Sequence, residues 1–208
     1  MINDARHLAP RGSVRAAAFV LAAFARPTTV GALLPSSRHL ALAMAEAAAG
    51  AERLIELGAG TGAITEALCR EHPGIPTTAV ELEPRLAQHL SRRFPGIEVR
   101  AAAADEVLRA MSSGHGSTVL VSSLPFRSLP PFWRQRSRQA IEDFLLAQPM
   151  RRLIQFTYQP RVPFDLQHVH ALRWRRVGVI WRNAPPAWVW ELGPVGNGLV
   201  LPELARAA

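Results

Sequence analysis

The 208-residue chain has no lysine: all 24 of its basic residues are arginine. Cysteine and tyrosine occur once each, as Cys69 and Tyr158. A single cysteine excludes an internal disulfide and fits a reducing compartment, so a cytoplasmic location is expected. No apolar run approaches the roughly 20 residues of a membrane-spanning helix. The longest, AAAFVLAAFA at residues 16–25, is half that and lies between Arg15 and Arg26. Its apolar core would suit an export signal, but no clear cleavage site follows, and it is read as a helix of the folded protein. Internal repeats and low-complexity linkers are also lacking. His168 and His170 alternate on a strand-like segment without a third ligand at metal spacing, so no metal is expected.

An apolar fraction of 49% is ample for a full core, and the length fits one domain with an added arm. The net charge of +8 is unevenly spread. Residues 1–50 have five Arg and two acids, residues 51–110 seven and nine, and residues 111–208 twelve and five. Positive ends around an acidic middle favour an anionic partner: a membrane surface, nucleic acid or a phosphorylated substrate. A solvated Arg-rich surface encoded by a GC-rich genome gives the same totals.

From residue 53 onward, apolar runs alternate with helix-like segments. Strands are expected at 53–60, 77–84, 97–101, 117–123 and 151–158, and helices at 61–71, 85–94, 105–111 and 132–146. This spacing implies a parallel sheet with helices on both faces. LRWRRVGVIW and PAWVWELG follow, joined only by the turn RNAPP. They have no room for a helix between them and are expected to form an antiparallel hairpin. Two helices are expected in the first 50 residues, at 15–25 and 37–48. The first is apolar nearly all round and suits either core packing or shallow membrane insertion. The expected domains are an arm or lid at 1–50, a cofactor-binding core at 51–193 and a tail at 194–208.

Glu56-Leu57-Gly58-Ala59-Gly60-Thr61-Gly62 lies where a strand becomes a helix. Glycines there let the backbone approach a ligand, and the helix start offers free amides. The spacing departs from the dinucleotide pattern Gly-x-Gly-x-x-Gly. A carboxylate at position 56 would repel a pyrophosphate but attract an amino group. The loop therefore suits S-adenosylmethionine, whose amino-acid end is zwitterionic. At the end of the next strand, Glu81 is placed to accept both ribose hydroxyls, with Glu83 as its competitor, and Leu82 to lie against the adenine.

These residues resemble the class I S-adenosylmethionine-dependent methyltransferases. VGALLPSSRHLA, ELGAGTGAITEAL, VELEPRLAQHLSRRFPG, VSSLPFRSLP, QFTYQPRVP and RNAPPAWVW occur in one order between Val30 and Trp190. Together they resemble the bacterial phospholipid N-methyltransferases, the soluble type that converts phosphatidylethanolamine to phosphatidylcholine. The resemblance implies an α/β, Rossmann-like fold: a mostly parallel seven-stranded sheet with a C-terminal antiparallel hairpin and N-terminal helices. It departs at one point. The family usually has Gly-Asp-Ala after the third strand, its Asp placed for the adenine amino group, whereas Ala102-Ala103-Ala104 and then Asp105 stand here. Either Asp105 substitutes, or backbone amides near Ala104 hold the adenine.

The fourth expected strand breaks into Ser122-Ser123-Leu124-Pro125-Phe126. Related enzymes that methylate an adenine amine usually open this turn with Asn or Asp, which grips the planar amine. A serine is shorter and accepts more weakly, which fits better an aliphatic amine held by carbonyls near Ser122 and Ser123. The methylated nitrogen becomes a permanent cation, which aromatic faces attract by about 1–2 kcal/mol when desolvated. Phe126 and Tyr158 are the candidates, and the Tyr158 hydroxyl is a candidate to accept or relay the proton. Catalytic roles are thus expected at Tyr158 and Ser123, with Ser122 and Ser123 also beside the cofactor. Leu124, Pro125, Phe126, Tyr158 and Asn183 are expected to contact substrate. Ser36 or Ser37 reads first as a helix N-cap, and second, this helix start and Arg38 as a contact for a phosphate. Asn183 also reads as a turn builder. Arg134, Arg136, Arg138, Arg151, Arg152 and Arg161 are candidates for phosphate head groups. Trp174, Trp181, Trp188 and Trp190 suit either core packing or a membrane interface.

The expected function is stepwise N-methylation of phosphatidylethanolamine by a monomer on the inner face of the cytoplasmic membrane. Its partners would be phospholipid and an anionic surface, without nucleic acid. The rivals are adenine N6-methylation of RNA, methylation of another amino lipid such as an ornithine lipid, and a non-catalytic membrane- or partner-binding protein on the same fold.

Overall fold

A computed structural model describes residues 35–111 and 116–196. The expected helix at 15–25 and nearly all of the expected tail lie outside the described residues. Parallel strands buried on both faces read as nearly continuous apolar runs, and the chain is built this way. β1 (Arg53–Leu57), β2 (Thr77–Glu81), β4 (Thr118–Ser122) and β5 (Arg152–Thr157) are almost wholly buried. With β3 (Glu98–Ala101) they form the parallel part of one seven-stranded sheet, ordered β3-β2-β1-β4-β5-β7-β6. β6 (Leu172–Ile180) and β7 (Ala187–Pro194) form the expected hairpin. β7 inserts between β5 and β6, antiparallel to both, with Leu153 opposite Leu192 and Ile180 opposite Ala187.

Alternation along the strands divides the core by face. Ile55, Leu57, Leu120 and Leu153 point to the side covered by α4 (Ala104–Ala110) and α5 (Pro131–Leu146). Leu54, Val119, Val121 and Ile154 point to the side covered by α1 (Pro35–Ala47) and α2 (Ala63–Glu71). α1, expected as part of an arm, packs Leu40, Ala41, Met44 and Ala45 into this second cluster. Its C-terminal end is held from the sheet. Arg152 donates to the carbonyl of Ala47 at 2.8 Å and to that of Ala49, satisfying carbonyls that a helix end leaves free.

Element ends differ from expectation by a residue or more, for local reasons. The strand expected at 77–84 stops at Glu81, because Glu83 caps α3 (Pro84–Arg93) and Pro84 takes its first turn. The expected strand-like segment around His168 and His170 is a turn, tied to α5 by Glu142, which accepts from the backbone of Gln167 and His168 and meets His168 Nδ1 at 2.9 Å.

Candidate functional site

The strand order reverses between β1 and β4, and in open α/β sheets ligands bind beyond the strand C-termini at such a point. A cavity of about 470 Å³ lies there. The loops after β1, β2, β4 and β5 all contribute to its walls, and Leu40 and Ala41 of α1 complete it.

The glycine loop forms the part nearest β1. Gly58, Ala59, Gly60 and Thr61 line the cavity. Gly58 and Gly62 have φ of 76° and 88°, in the left-handed region. A Cβ on Gly58 would stand 3.1 Å from Leu124, and one on Gly62 would stand 2.6 Å from Phe94, so no larger residue fits position 62. The loop is braced from β2. Glu81, buried, accepts from the Gly60 amide at 2.8 Å through one carboxylate oxygen and from the Glu83 amide at 2.9 Å through the other. Glu83 reaches the rim, but its side chain accepts from the Arg85 amide as the α3 cap. The geometry therefore separates the two acids, Glu81 at the cavity and Glu83 at the helix. Leu82 lies between this cavity and a small pocket of about 30 Å³.

Glu56 is not on the wall. It is fully buried on the α2 side, where Oε2 accepts from Thr65 Oγ1 at 2.6 Å. Its Oε1 is buried with no hydrogen-bond partner among the described residues. Desolvation pushes its pKa up to about 8; the Thr65 hydrogen bond acts against this and the nearby Glu81 charge adds to it. Burial thus favours the protonated form of Glu56 near neutral pH.

Ala104 and Asp105 line the small pocket beside Leu82. Asp105 is buried, and its Oδ2 accepts from Arg136 Nε at 2.9 Å and from Arg109 at 2.8 Å. Oδ1 is buried without a hydrogen-bond partner among the described residues. Asp105 therefore anchors α4 to α5 beside the pocket.

The turn after β4 is stiffer than its sequence suggests. Ser122 is fully buried and its Oγ accepts from the Leu124 amide at 3.2 Å, so its hydroxyl builds the turn. The Ser123 amide donates to Leu57 O at 2.9 Å, joining the turn to β1, and Ser123 reaches the cavity. Leu124, Pro125 and Phe126 line it as well. Phe126 is also core, its ring centroid 4.5 Å from that of Phe164.

A residue not singled out from the sequence stands at the centre. Gln155 is buried in β5 and lines the cavity. Its amide nitrogen donates to Leu124 O and Phe156 O, each at 3.1 Å. Two carbonyl partners fix that end as the NH₂ and leave Oε1, buried, without a hydrogen-bond partner among the described residues. Leu124 O also accepts from the Phe126 amide at 2.9 Å, so the turn's carbonyl is already doubly engaged. The available signal was a lone polar residue inside the apolar run RRLIQFTY.

Tyr158 stands at the mouth, 42% exposed, edge-on to Phe156. Partial burial raises its pKa against a weaker effect of its hydrogen bond with Asn183, so the hydroxyl stays protonated at neutral pH. Tyr158 can donate and accept hydrogen bonds there, as a proton relay would require. Asn183 is buried, donates to Pro185 O at 2.6 Å and also lines the cavity, so it shapes the turn and supports Tyr158 together. Trp181, in the same turn, is 69% exposed. Trp174 and Trp190 pack inward, donating to Phe164 O and Thr157 Oγ1.

Other expected contacts lie elsewhere. Arg38 is exposed, and among the described residues the wall from α1 begins at Leu40; the side chains of Ser36 and Ser37 lie outside the described residues. The proposed phosphate role of Arg151 and Arg152 is overturned by burial: Arg151 stacks 3.9 Å over the Phe144 ring, and Arg152 holds the end of α1 and lies 3.6 Å from Glu191. Arg136 is committed to Asp105. Among the described residues, no group of three His, Cys, Asp or Glu is placed to hold a metal ion, and no helix is long and apolar enough to cross a membrane.

Solved methyltransferase structures share this fold. The 23S rRNA methyltransferase ErmE is 19% identical, covering 76% of this chain and 68% of its own, with a TM-score of 0.51. Mitomycin 7-O-methyltransferase MmcR is 17% identical over 73% of this chain and 53% of its own, with a TM-score of 0.51. WbdD, a bifunctional kinase-methyltransferase, is 14% identical over 76% of this chain and 38% of its own, with a TM-score of 0.52. The likeness is one of fold, and it defines this chain as having the Rossmann-like fold of these methyltransferases. No protein-family model matches the sequence, and no curated protein matches it. The likeness to phospholipid N-methyltransferases therefore rests on the sequence motifs.

Proposed function

We propose that this protein uses S-adenosylmethionine to methylate the head-group nitrogen of phosphatidylethanolamine, in successive steps toward phosphatidylcholine. The observation that carries this reading is the acceptor end of the cavity: a turn without an amide side chain, a doubly engaged turn carbonyl, an unpaired Gln155 oxygen and the ring of Tyr158.

The residues present fit the cofactor. Left-handed glycines leave room for a close approach, and Glu81 has lone pairs free for the ribose hydroxyls beside Gly60. Leu82 and the pocket at Ala104 and Asp105 suit the adenine, and buried Glu56 answers a cationic amino group by ionising. S-adenosylmethionine, when bound, supplies an electrophilic methyl group on a sulfonium. Transfer is an in-line displacement, so the chain's work is to position and desolvate the nucleophile. Desolvation favours the neutral amine, which gives up its proton to water at the cavity mouth before each transfer. Gln155 Oε1 accepts an amine hydrogen and aims the lone pair. The Ser123 hydroxyl and the protonated Tyr158 hydroxyl complete the hydrogen bonding around the nitrogen. As methyl groups replace hydrogens, the faces of Phe126 and Tyr158 hold the resulting cation.

Docking at an anionic membrane surface fits the arginine-rich C-terminal half and the outward Trp181 beside the cavity mouth. The chain would act as a monomer at the cytoplasmic face.

The second reading is adenine N6-methylation of RNA. It is favoured by the position of the turn, at the strand end where such an amine is held, and by the positive charge of residues 111–208. One incubation separates the two: labelled S-adenosylmethionine with phosphatidylethanolamine liposomes, beside ribosomal RNA. Label in the lipid supports the first reading. Label in RNA alone replaces it with the second.

A further inference from the structure

A second cavity, of about 460 Å³, adjoins the acceptor chamber. Both are lined by Phe126, Arg127 and Pro163, so the two adjoin along these residues. One wall of the second cavity is the start of α5, with Arg134 and Arg138. These residues are four apart and share a helix face, while Arg136 between them turns to Asp105. Arg127 enters from the turn after β4, and Asp165 is the acid on the opposite wall. Three guanidinium groups, one of them paired with Glu142, against the single lining carboxylate of Asp165 leave the groove positive.

The positions of these cations are supported. Arg138 donates to the backbone carbonyl of Asp165 at 3.2 Å and lies 3.8 Å from Glu142, and its Nε is buried without a hydrogen-bond partner among the described residues. No ion pair engages Arg127 or Arg134 among the described residues. α5 begins at the groove with Pro130 and Pro131 and no side-chain cap, so the positive end of a 16-residue helix faces the same space.

We propose that this groove is a phosphodiester subsite, which holds the phosphate of the acceptor while its amine lies in the adjoining chamber at Gln155 and Tyr158. The proposal rests on the N-methyltransferase reading and gives it a source of selectivity. A short ethanolamine spacer joins amine to phosphate, and the two cavities meet at Phe126. Guanidinium forks match phosphate oxygens in pairs, and such charge-assisted bonds are about twice as strong as neutral ones. An amine without the phosphate leaves these cations unanswered.

The test uses the full chain loaded with S-adenosylhomocysteine and titrated calorimetrically with glycerophosphoethanolamine or with ethanolamine. Wild type is expected to prefer the phosphate-bearing compound at least tenfold. The double variant Arg127→Gln/Arg134→Gln loses that preference, with melting temperature and S-adenosylhomocysteine affinity unchanged. Equal binding of both compounds by wild type, or an undiminished preference in the variant, overturns the subsite whatever the activity. In the second arm, phosphatidylethanolamine in neutral phosphatidylcholine vesicles removes general attraction to anionic lipid. There the variant raises KM at least tenfold and keeps kcat. Methyl transfer to lipid with an unchanged KM overturns the subsite and spares the N-methyltransferase reading. A phosphate preference without methyl transfer to lipid spares the subsite and overturns that reading. Transfer to RNA alone, impaired in the variant, makes the groove a nucleic-acid backbone contact and overturns the lipid assignment.

Discussion

The carboxylate of Glu81 accepts from the amide of Gly60 at 2.8 Å, across 21 residues of sequence. One side chain thus ties the end of β2 to the glycine loop. Glu81→Ala is expected to weaken S-adenosylhomocysteine binding at least tenfold by calorimetry. Glu83→Ala should leave that affinity alone and reduce stability by about 0.5–2 kcal/mol, the usual effect of losing a helix cap. The reverse pattern would move the ribose role to Glu83.

Glu56 makes stability depend on pH. An ordinary glutamate titrates near 4.5, and burial moves this one to about 8. Between those values the folded chain keeps a proton that the unfolded chain has released. Stability therefore falls as pH rises through that window and levels off above it, by at most about 5 kcal/mol. Glu56→Gln keeps an oxygen for Thr65 and removes the titration. Its stability relative to wild type should grow from pH 5 to pH 8 in urea melts; parallel curves would place the Glu56 pKa near the ordinary value.

Tyr158→Phe removes a hydroxyl that stays protonated at neutral pH. Methyl transfer should slow about tenfold or more with cofactor affinity unchanged, and the remaining activity should keep the wild-type pH profile between pH 6 and 9. Full activity would leave Tyr158 only its ring.

Asp105 is buried and bonded by Arg136 and Arg109. Arg136→Met leaves the carboxylate with a single, more exposed partner and should destabilise the fold by about 2–4 kcal/mol in denaturant melts. A loss below about 0.5 kcal/mol would show that α4 and α5 do not depend on this pair.

Local signals made much of this molecule legible in its sequence. The runs RLIEL, TTAVE, TVLVS and RLIQFT are each a strand, and the glycines after the first sit at positive φ as their clustering implies. The RNAPP turn requires a hairpin. Contacts between distant segments were not legible. The sequence shows three arginines at alternate positions in α5, but only folding turns Arg136 to Asp105, 31 residues away. Arg152 looks like a surface cation until the end of α1, 105 residues earlier, supplies its carbonyl acceptor. Gln155 reads as one polar letter in an apolar strand, and its role depends on Leu124 O fixing one end of its amide.

The place of β7 also bears on how the chain is made. It is the last strand of the described residues, yet it occupies an interior position between β5 and β6. Until residues 187–194 leave the ribosome, β5 has a neighbour on one side only. During synthesis the growing chain therefore carries an open, apolar strand edge, the feature most prone to pair with other chains. A truncation before residue 187 should accumulate as aggregate in the cell rather than as a weakened enzyme.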